Sequence, residues 1–237
     1  MASSFLRIFS KIKKIRYAFH LTVQYFIDFV IPNGIKKIRI NEINIKEWQE
    51  FLVKAKPILE LLQAKNKKSK IVHIANKIID HHFILFGKEF SFFPEQSTIF
   101  GSYQKINWHH DPSTGSEFPQ TDWYRLVRKN LPKGSDLKYP WELSRFQHLI
   151  LLGQAYADTN EEKYTLEFIN QIMDWIESNP MRYGINWSNT MEVGIRAANW
   201  TIALLYFQKS RHLTKDFLKQ YLKSIQEHGN HIYRNLE

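Results

Sequence analysis

Polar and aromatic side chains that could bind a sugar are concentrated in two stretches of the chain. The first contains Trp108, His109 and His110, and the second contains Asn186 and Trp187. A loop tryptophan beside amide and acidic groups suits a saccharide, because the C–H face of a pyranose packs against an aromatic plane while its hydroxyls need hydrogen-bond partners. The alternatives are a tryptophan that fills a hairpin core and histidines that lie in a surface loop.

Two pairs of acidic and basic residues have the spacing of neighbours on a helix. Glu192 and Arg196 are four residues apart, and Glu142 and Arg145 are three apart. Either pair could be an intrahelical ion pair, and Glu192 could instead close a helix cap with Asn189. Facing a cleft, Glu192 would bind sugar hydroxyls and Arg196 would bind a carboxylate or sulfate. Both interpretations stay open at this stage.

Other kinds of chemistry find less support in the sequence. The chain has no cysteine, which excludes disulfides, zinc–thiolate sites and thiol nucleophiles. Phosphate-binding glycine loops, nucleophile elbows and zinc-protease helices are absent as sequence motifs. Adjacent histidines such as His109 and His110 rarely reach one metal ion, so we predict no metal and no cofactor. The paired carboxylates of a glycoside hydrolase could come from Asp111, Glu142 and Glu192, but no spacing selects them.

The second half of the chain must position these residues, and its pattern is helical. Apolar residues at helical spacing predict amphipathic helices over residues 142–157, 161–178, 191–208 and 215–233. Thr159 and Glu162 have capping-box spacing, and Asn179 and Pro180 end a helix. Short connections between these helices predict antiparallel helical hairpins and an all-α fold.

The first half is less regular. Helices are predicted over residues 46–64 and 70–86, the second ending at Gly87. From about residue 90 to 125 the helical period is lost, and prolines, glycines and aromatic residues predominate. A long irregular segment within a compact chain is usually either functional or misassigned as a loop.

The net charge of +10 comes from the first part of the chain. Residues 1–90 contain 17 Lys and Arg against 7 Asp and Glu, whereas residues 91–237 contain 16 of each kind. Residues 5–16 are predicted to form a basic amphipathic helix, which leaves weak contact with a membrane surface open. Residues 17–31 are too short and too polar to span a bilayer. A general nucleic-acid-binding surface is disfavoured by this uneven distribution.

Three short motifs in a fixed order resemble one known family. They are 108–112 (WHHDP), 138–145 (KYPWELSR) and the stretch 179–196, which contains GINW and MEVGIR. From about residue 70 onward the chain resembles the N-terminal domain of the heparinase II/III family of polysaccharide lyases. The resemblance implies an incomplete (α/α) toroid over 66–237, with further toroid helices and a β-sandwich beyond the chain. Residues 1–65 add little to the resemblance and are predicted to form a separate basic helical segment.

The resemblance also implies a function. Such a lyase binds an acidic, uronate-containing polysaccharide and cleaves it by β-elimination. The catalytic Asn, Tyr and His are expected downstream of Glu237, so we predict no catalytic residue here and an inactive isolated chain. The predicted substrate-binding residues are Trp108, His109, His110, Arg145, Asn186, Trp187, Glu192 and Arg196.

The alternative function is a non-catalytic carbohydrate-binding or exopolysaccharide-handling protein. Self-association through apolar helix faces that later hairpins would cover stays open. The compartment is not determined by the sequence: a periplasmic, cell-envelope or cytoplasmic location would each suit the parent function.

Overall fold

The computed structural model describes residues 68–92, 99–100, 103–129 and 131–235. Those residues contain six α-helices: α1 (Lys68–Ile79), α2 (Lys138–Ser144), α3 (His148–Thr159), α4 (Lys163–Ser178), α5 (Thr190–Tyr206) and α6 (Lys215–Arg234). The basic segment 1–65 and the helix predicted over 46–64 lie outside the described residues.

Short antiparallel hairpins form the non-helical part between α1 and α2. The pairs are β1 (His82–Leu85) with β2 (Lys88–Ser91), β3 (Ile99–Phe100) with β4 (Tyr103–Gln104), and β5 (His110–Asp111) with β6 (Ser116–Glu117). Short 3₁₀ turns follow at Val127–Lys129 and, before α5, at Ile185–Trp187.

The single helix predicted over 70–86 is wrong in its second half. Helix α1 ends at Ile79, and in β1 the side chains of Phe83 and Leu85 are buried while Ile84 is 60% exposed. This alternation is the period of a strand with one buried face. Phe86 and Gly87 both have positive φ, at 51° and 79°, as a two-residue hairpin turn requires. Local turn geometry therefore overrides the apolar run that suggested a continuing helix.

The helix predicted over 142–157 is divided into α2 and α3. Phe146, which lies between them, has a φ of 58° and a fully buried side chain. Its ring lies 4.9 Å from that of Trp108 and 5.4 Å from that of Trp200. Burial of a large aromatic ring contributes about 1.5–3 kcal/mol, which is enough to offset the roughly 1–2 kcal/mol that a left-handed residue costs. The core contact thus determines where the helix breaks.

The other three predicted helices are confirmed as α4, α5 and α6, with ends within two residues of expectation. Asn189 caps α5 by accepting a hydrogen bond from the backbone N–H of Met191 at 3.0 Å. The capping box at Thr159 and Glu162 is wrong. Thr159 ends the preceding helix instead, donating to the carbonyl of Ala155 at 2.8 Å.

Helices α3 and α5 form the centre of the core. Helix α3 packs against α1, α4 and α5, and α5 also packs against α6. Gly153 permits the approach of α3 to α5, since a Cβ at that position would lie 2.7 Å from the ring of Tyr206. The described part of the chain is therefore helix-rich, as predicted. None of its helices combines the length and apolar character needed to cross a membrane.

Candidate functional site

The two stretches that the sequence singled out meet in the structure. The side-chain amide of Asn186 donates to the carbonyl of Trp108 at 3.0 Å and to Oδ1 of Asn179 at 2.8 Å. The indole N–H of Trp187 donates to the carbonyl of Asn179 at 3.1 Å. Because Asn179 directly follows α4, these bonds hold the 3₁₀ turn Ile185–Trp187 between the end of α4 and the irregular segment.

Asp174 of α4 attaches the irregular segment to the helical core. Its Oδ2 accepts from the backbone N–H of Ile106 at 2.8 Å, from Nε1 of Trp108 at 3.0 Å and from the hydroxyl of Tyr103 at 3.1 Å. Burial raises the pKa of Asp174 although these donors oppose the shift. Trp108 is therefore positioned by a buried carboxyl on its ring nitrogen and by Asn186 on its backbone.

Asp111 organises the loop between β5 and β6. Its carboxylate accepts from the backbone N–H of Ser113 at 2.9 Å, from the hydroxyl of Thr114 at 2.9 Å and from the backbone N–H of Asp136 at 2.8 Å. Burial opposes ionisation, but the hydrogen bonds, led by the Ser113 hydroxyl, hold the pKa of Asp111 below its ordinary value. Asp111 is thus a structural anchor that joins the loop to the start of α2.

The two adjacent histidines lie in different environments. His110 is partly exposed, and its Nδ1 lies 2.7 Å from Oε1 of Glu117. His109 is 1% exposed, and burial lowers its pKa to about 4. Its Nε2 would lie 3.0 Å from a Cβ at position 184, and Gly184 has a φ of 73°, so both the space and the backbone conformation require glycine there.

Arg196 is buried completely and lies between aromatic rings. Its guanidinium carbon lies 4.1 Å from the ring centroid of Trp175 and 5.5 Å from that of Trp187. Its Nε donates to Nε2 of His228 at 2.8 Å, and its Nη2 donates to the carbonyl of Asn186 at 3.1 Å. Burial lowers the pKa of Arg196 to about 9. The side chain therefore connects α5, α6 and the 3₁₀ turn.

Arg145 is the centre of a polar cluster at the end of α2. Its Nε and Nη2 donate to the two carboxylate oxygens of Glu192 at 2.5 and 2.7 Å. Its Nη1 donates to Glu142, which confirms the pair three residues apart. The hydrogen bonds to Glu192 raise the pKa of Arg145. Glu192 therefore pairs across α2 and α5, whereas its spacing to Arg196 had suggested a pair within α5.

Burial divides the eight predicted substrate-binding residues into two groups. The side chains that are at most 3% exposed are those of Trp108, His109, Asn186, Trp187, Glu192 and Arg196. His110 and Arg145 are accessible, with side chains 27% and 24% exposed. In this structure the buried group holds loops and helices together, and contact between these residues and a saccharide stays a prediction.

Some atoms of this buried group have no hydrogen-bond partner among the described residues. They are Oδ1 of Asn186, Nη1 of Arg196 and both ring nitrogens of His109. A buried polar atom without a partner costs roughly 1–3 kcal/mol, and an ordered water or a ligand is the usual explanation. The interior beneath the 3₁₀ turn therefore has unused donors and acceptors.

Two adjoining cavities lie along α4, away from the predicted residues. Their volumes are about 470 and 490 Å³, and both are lined by Tyr103 and Asn170. Charged side chains of both signs, including Lys105 and Glu177, surround the first cavity. None of the eight predicted residues lines either cavity.

An exposed aromatic pair was not predicted from the sequence. Trp123 and Tyr183 are 37% and 42% exposed, and their ring centroids are 5.7 Å apart. The only signal in the sequence was the run of aromatic and basic residues over 123–128 (WYRLVR), which carries no helical or strand period. Their proximity depends on two loops that are 60 residues apart in the chain.

Comparisons with known proteins identify the family. Residues 41–237 match the family described as heparinase II/III N-terminus. A heparin-sulfate lyase from Bacteroides stercoris is 27% identical over 117 residues, which cover 41% of this chain and 18% of the relative. A heparin-sulfate lyase from Bacteroides thetaiotaomicron is 29% identical over 104 residues, which cover 43% of this chain and 15% of the relative.

Each of these matches thus covers less than a fifth of the relative's own length. No solved structure matches the chain. Because the family match covers most of the sequence, the chain belongs to the heparinase II/III family and contains its N-terminal region.

Proposed function

We propose that this chain is the N-terminal toroid portion of a polysaccharide lyase and binds an acidic, uronate-containing polysaccharide for β-elimination. The observation that carries the proposal is the family match over residues 41–237. The names of the two relatives, both heparin-sulfate lyases, support a sulfated glycosaminoglycan as the first polymer to test.

The chemistry of β-elimination defines what the site must supply. A base removes the proton α to the uronate carboxylate, an acid protonates the departing O4 oxygen, and a third group stabilises the charge that develops on the carboxylate. In this proposal none of the three groups is assigned to a residue of this chain. The proposed contribution of this chain is therefore to bind and orient the polymer.

The partly exposed polar cluster at α2 could bind the hydroxyl groups of a saccharide, but it has no unpaired cation for an acidic group. The side chains of Glu142 and Arg145 are 19% and 24% exposed, and carboxylate oxygens accept hydrogen bonds from sugar hydroxyls. Arg145 is already paired with both Glu142 and Glu192, so this cluster has one cation and two anions. Binding of an acidic polymer must therefore use additional cations, which makes salt-sensitive binding an expectation.

The toroid is part of the same proposal. Its support is that α3 packs against α4, that α5 packs against α6, and that α3 and α5 pack together and so join the two pairs. A ring of helical hairpins would continue this arrangement.

Binding is the first test. The 237-residue chain is titrated with heparin, heparan sulfate and alginate, with dextran as an uncharged control. We expect acidic polymers to bind, dextran not to bind, and affinity to fall as salt rises. Absence of binding to every acidic polymer would contradict the proposal.

Cleavage is the second test. The protein expressed from its complete gene is incubated with the same polymers, and the ultraviolet absorbance of the unsaturated uronate product is followed. A rise in absorbance supports the lyase assignment. Binding without any unsaturated product would instead favour a non-catalytic carbohydrate-binding protein.

A further inference from the structure

An aromatic pair on the surface joins two loops of the protein. Trp123 and Tyr183 form an antiparallel backbone bridge, and their rings meet at an interplanar angle of 77°. Each side chain is more than a third exposed. Contiguous exposed apolar surface often marks a ligand-binding site.

Hydrogen bonds on both sides of the bridge fix the position of the pair. The backbone N–H of Tyr124 donates to the carbonyl of Arg182 at 3.0 Å, and that of Gly184 donates to the carbonyl of Asp122 at 2.8 Å. Arg182 has a φ of 69°, a conformation that costs a non-glycine residue about 1–3 kcal/mol and persists only where surrounding contacts enforce it. The two rings are therefore presented by a preformed scaffold.

Two arginines in the same chain segment as Trp123 have no acidic partner among the described residues. Arg125 donates from Nε to the hydroxyl of Tyr124 at 2.9 Å. Arg128 lies over the ring of Trp141, with its guanidinium carbon 5.3 Å from the centroid. Both arginines are exposed and make their contacts with neutral groups, so their charges are available to an anion.

The aromatic pair is connected to the polar cluster on α2. Tyr183 directly precedes Gly184 and the turn Ile185–Trp187, and the indole N–H of Trp141 donates to the carbonyl of Ile185 at 2.9 Å. Trp141 is adjacent in sequence to Glu142, a partner of Arg145. One turn of backbone thus supports both the aromatic pair and the helix that presents Arg145.

We propose that Trp123 and Tyr183 form a stacking platform for an acidic polysaccharide, and that Arg125 and Arg128 bind its carboxylate or sulfate groups. Because the two rings are nearly perpendicular, one ring stacks on a sugar and the other supports that ring edge-on. The proposal rests on the proposed function and adds the anion-binding residues that the α2 cluster does not provide. Aromatic faces pack against the C–H face of a pyranose, and guanidinium groups bind planar or tetrahedral oxyanions with paired hydrogen bonds.

A saccharide suits these residues better than a single-stranded nucleic acid does, although bases also stack on aromatic rings. The family match and the names of the two relatives, both heparin-sulfate lyases, favour the saccharide.

The test measures binding of the 237-residue chain to heparin. Trp123→Ala and Tyr183→Ala are each expected to weaken the Kd about tenfold, the loss typical of a truncated central aromatic contact. Phe86→Ala is the matched control, because Phe86 is an exposed aromatic residue (54%) on the β1–β2 turn. Its Kd should equal that of the unmodified chain. Thermal melting checks that each variant is folded.

The arginines are tested by a charge-matched pair of double variants. Arg125→Gln with Arg128→Gln should weaken heparin binding about tenfold and reduce its salt dependence. Lys219→Gln with Lys223→Gln removes the same charge from the exposed side of α6 and should change the Kd less than twofold. This comparison remains informative even if a Trp123 variant does not fold.

The outcomes separate the two proposals. If the unmodified chain binds no acidic polymer, the proposed function fails and the platform fails with it. If it binds heparin and the platform variants bind equally well, or if both arginine and lysine pairs cause the same loss, the platform alone is wrong. Tighter binding of a single-stranded oligonucleotide than of heparin, lost in Trp123→Ala, would also overturn it.

Discussion

Arginine lies over tryptophan in two regions of this protein, with opposite consequences. Arg196 is fully buried between Trp175 and Trp187. Arg128 lies exposed over Trp141. The residue types are the same, and the guanidinium-to-ring distances, 4.1 Å and 5.3 Å for the nearest rings, are similar. Burial distinguishes them, so the interior arginine stabilises the fold whereas the surface arginine can meet a ligand.

Solvation explains this difference. An exposed guanidinium keeps its hydration and exchanges water for an anion at little cost. A buried one has lost its hydration, and the loss is offset by its bonds to His228 and to the carbonyl of Asn186 and by its contacts with the two tryptophan rings. Contacts inside the protein are therefore expected to control stability, and contacts at the surface to control binding. The following predictions examine that division, from the largest expected effect to the smallest.

Arg196→Ala should lower the free energy of unfolding by about 3 kcal/mol, because it leaves a cavity between two tryptophans and removes two hydrogen bonds. Urea unfolding followed by circular dichroism provides the measurement. A loss below about 1 kcal/mol would mean that relief of the buried charge cancels these contacts, and the contrast between the two arginines would disappear.

Low pH should destabilise the folded protein, because a buried histidine that is neutral in the folded state becomes protonated on unfolding. Burial lowers the pKa of His109 from 6.5 to about 4, so the neutral form is favoured in the folded state. Its contribution to stability is complete above pH 6.5 and is lost as the pH falls from about 6.5 towards about 4. Each unit of pH in that interval costs about 1.4 kcal/mol.

His109→Gln removes this titration. Between pH 7 and pH 5 the unmodified protein should therefore lose about 2 kcal/mol more stability than the variant. Urea unfolding at a series of pH values measures both curves. Parallel curves would show that the pKa of His109 is the same in the folded and unfolded states, contrary to the effect expected from its burial.

The polar cluster at α2 is intermediate in burial between the two arginine sites. Substitutions in it should therefore have an intermediate effect on the free energy of unfolding. Glu192→Gln should cost about 2 kcal/mol, because its side chain is 3% exposed and accepts two bonds from Arg145. Glu142→Gln should cost about 0.5 kcal/mol, because Glu142 is 19% exposed and water can replace it. If urea unfolding shows that the two variants lose the same free energy of unfolding, burial does not set the size of the effect.

Arg128→Gln should have the smallest effect on stability, within about 0.5 kcal/mol, as is usual for exposed substitutions. The same variant should weaken heparin binding measurably if the surface region is a binding region. Thermal melting and heparin titration of one preparation compare the two effects. A large loss of stability without a loss of heparin binding would contradict the proposal that this surface arginine acts in binding and not in stability.

Helices could be predicted from the sequence wherever the local pattern of apolar residues agrees with the packing in the folded protein. Helices α4, α5 and α6 have apolar residues at helical spacing, and each lies within two residues of its predicted position. The prediction failed where distant contacts override the local pattern. Phe146 breaks a helix because its ring enters the core, and the run that ends at Leu85 forms a strand because Phe86 and Gly87 turn the chain back.

The residue types of the candidate site were also visible in the sequence, together with the motifs that place the chain in its family. The solvent exposure of these residues could not be predicted from the sequence, because burial depends on which side chains are brought together from distant parts of the chain. Trp187 and Arg196 have the composition of a sugar site yet lie in the interior, whereas Trp123 and Tyr183 meet at the surface through a backbone bridge. Sequence thus determined the helices and the family, and tertiary structure decided which aromatic and charged side chains can reach a ligand, since solvent access is a property of the whole fold.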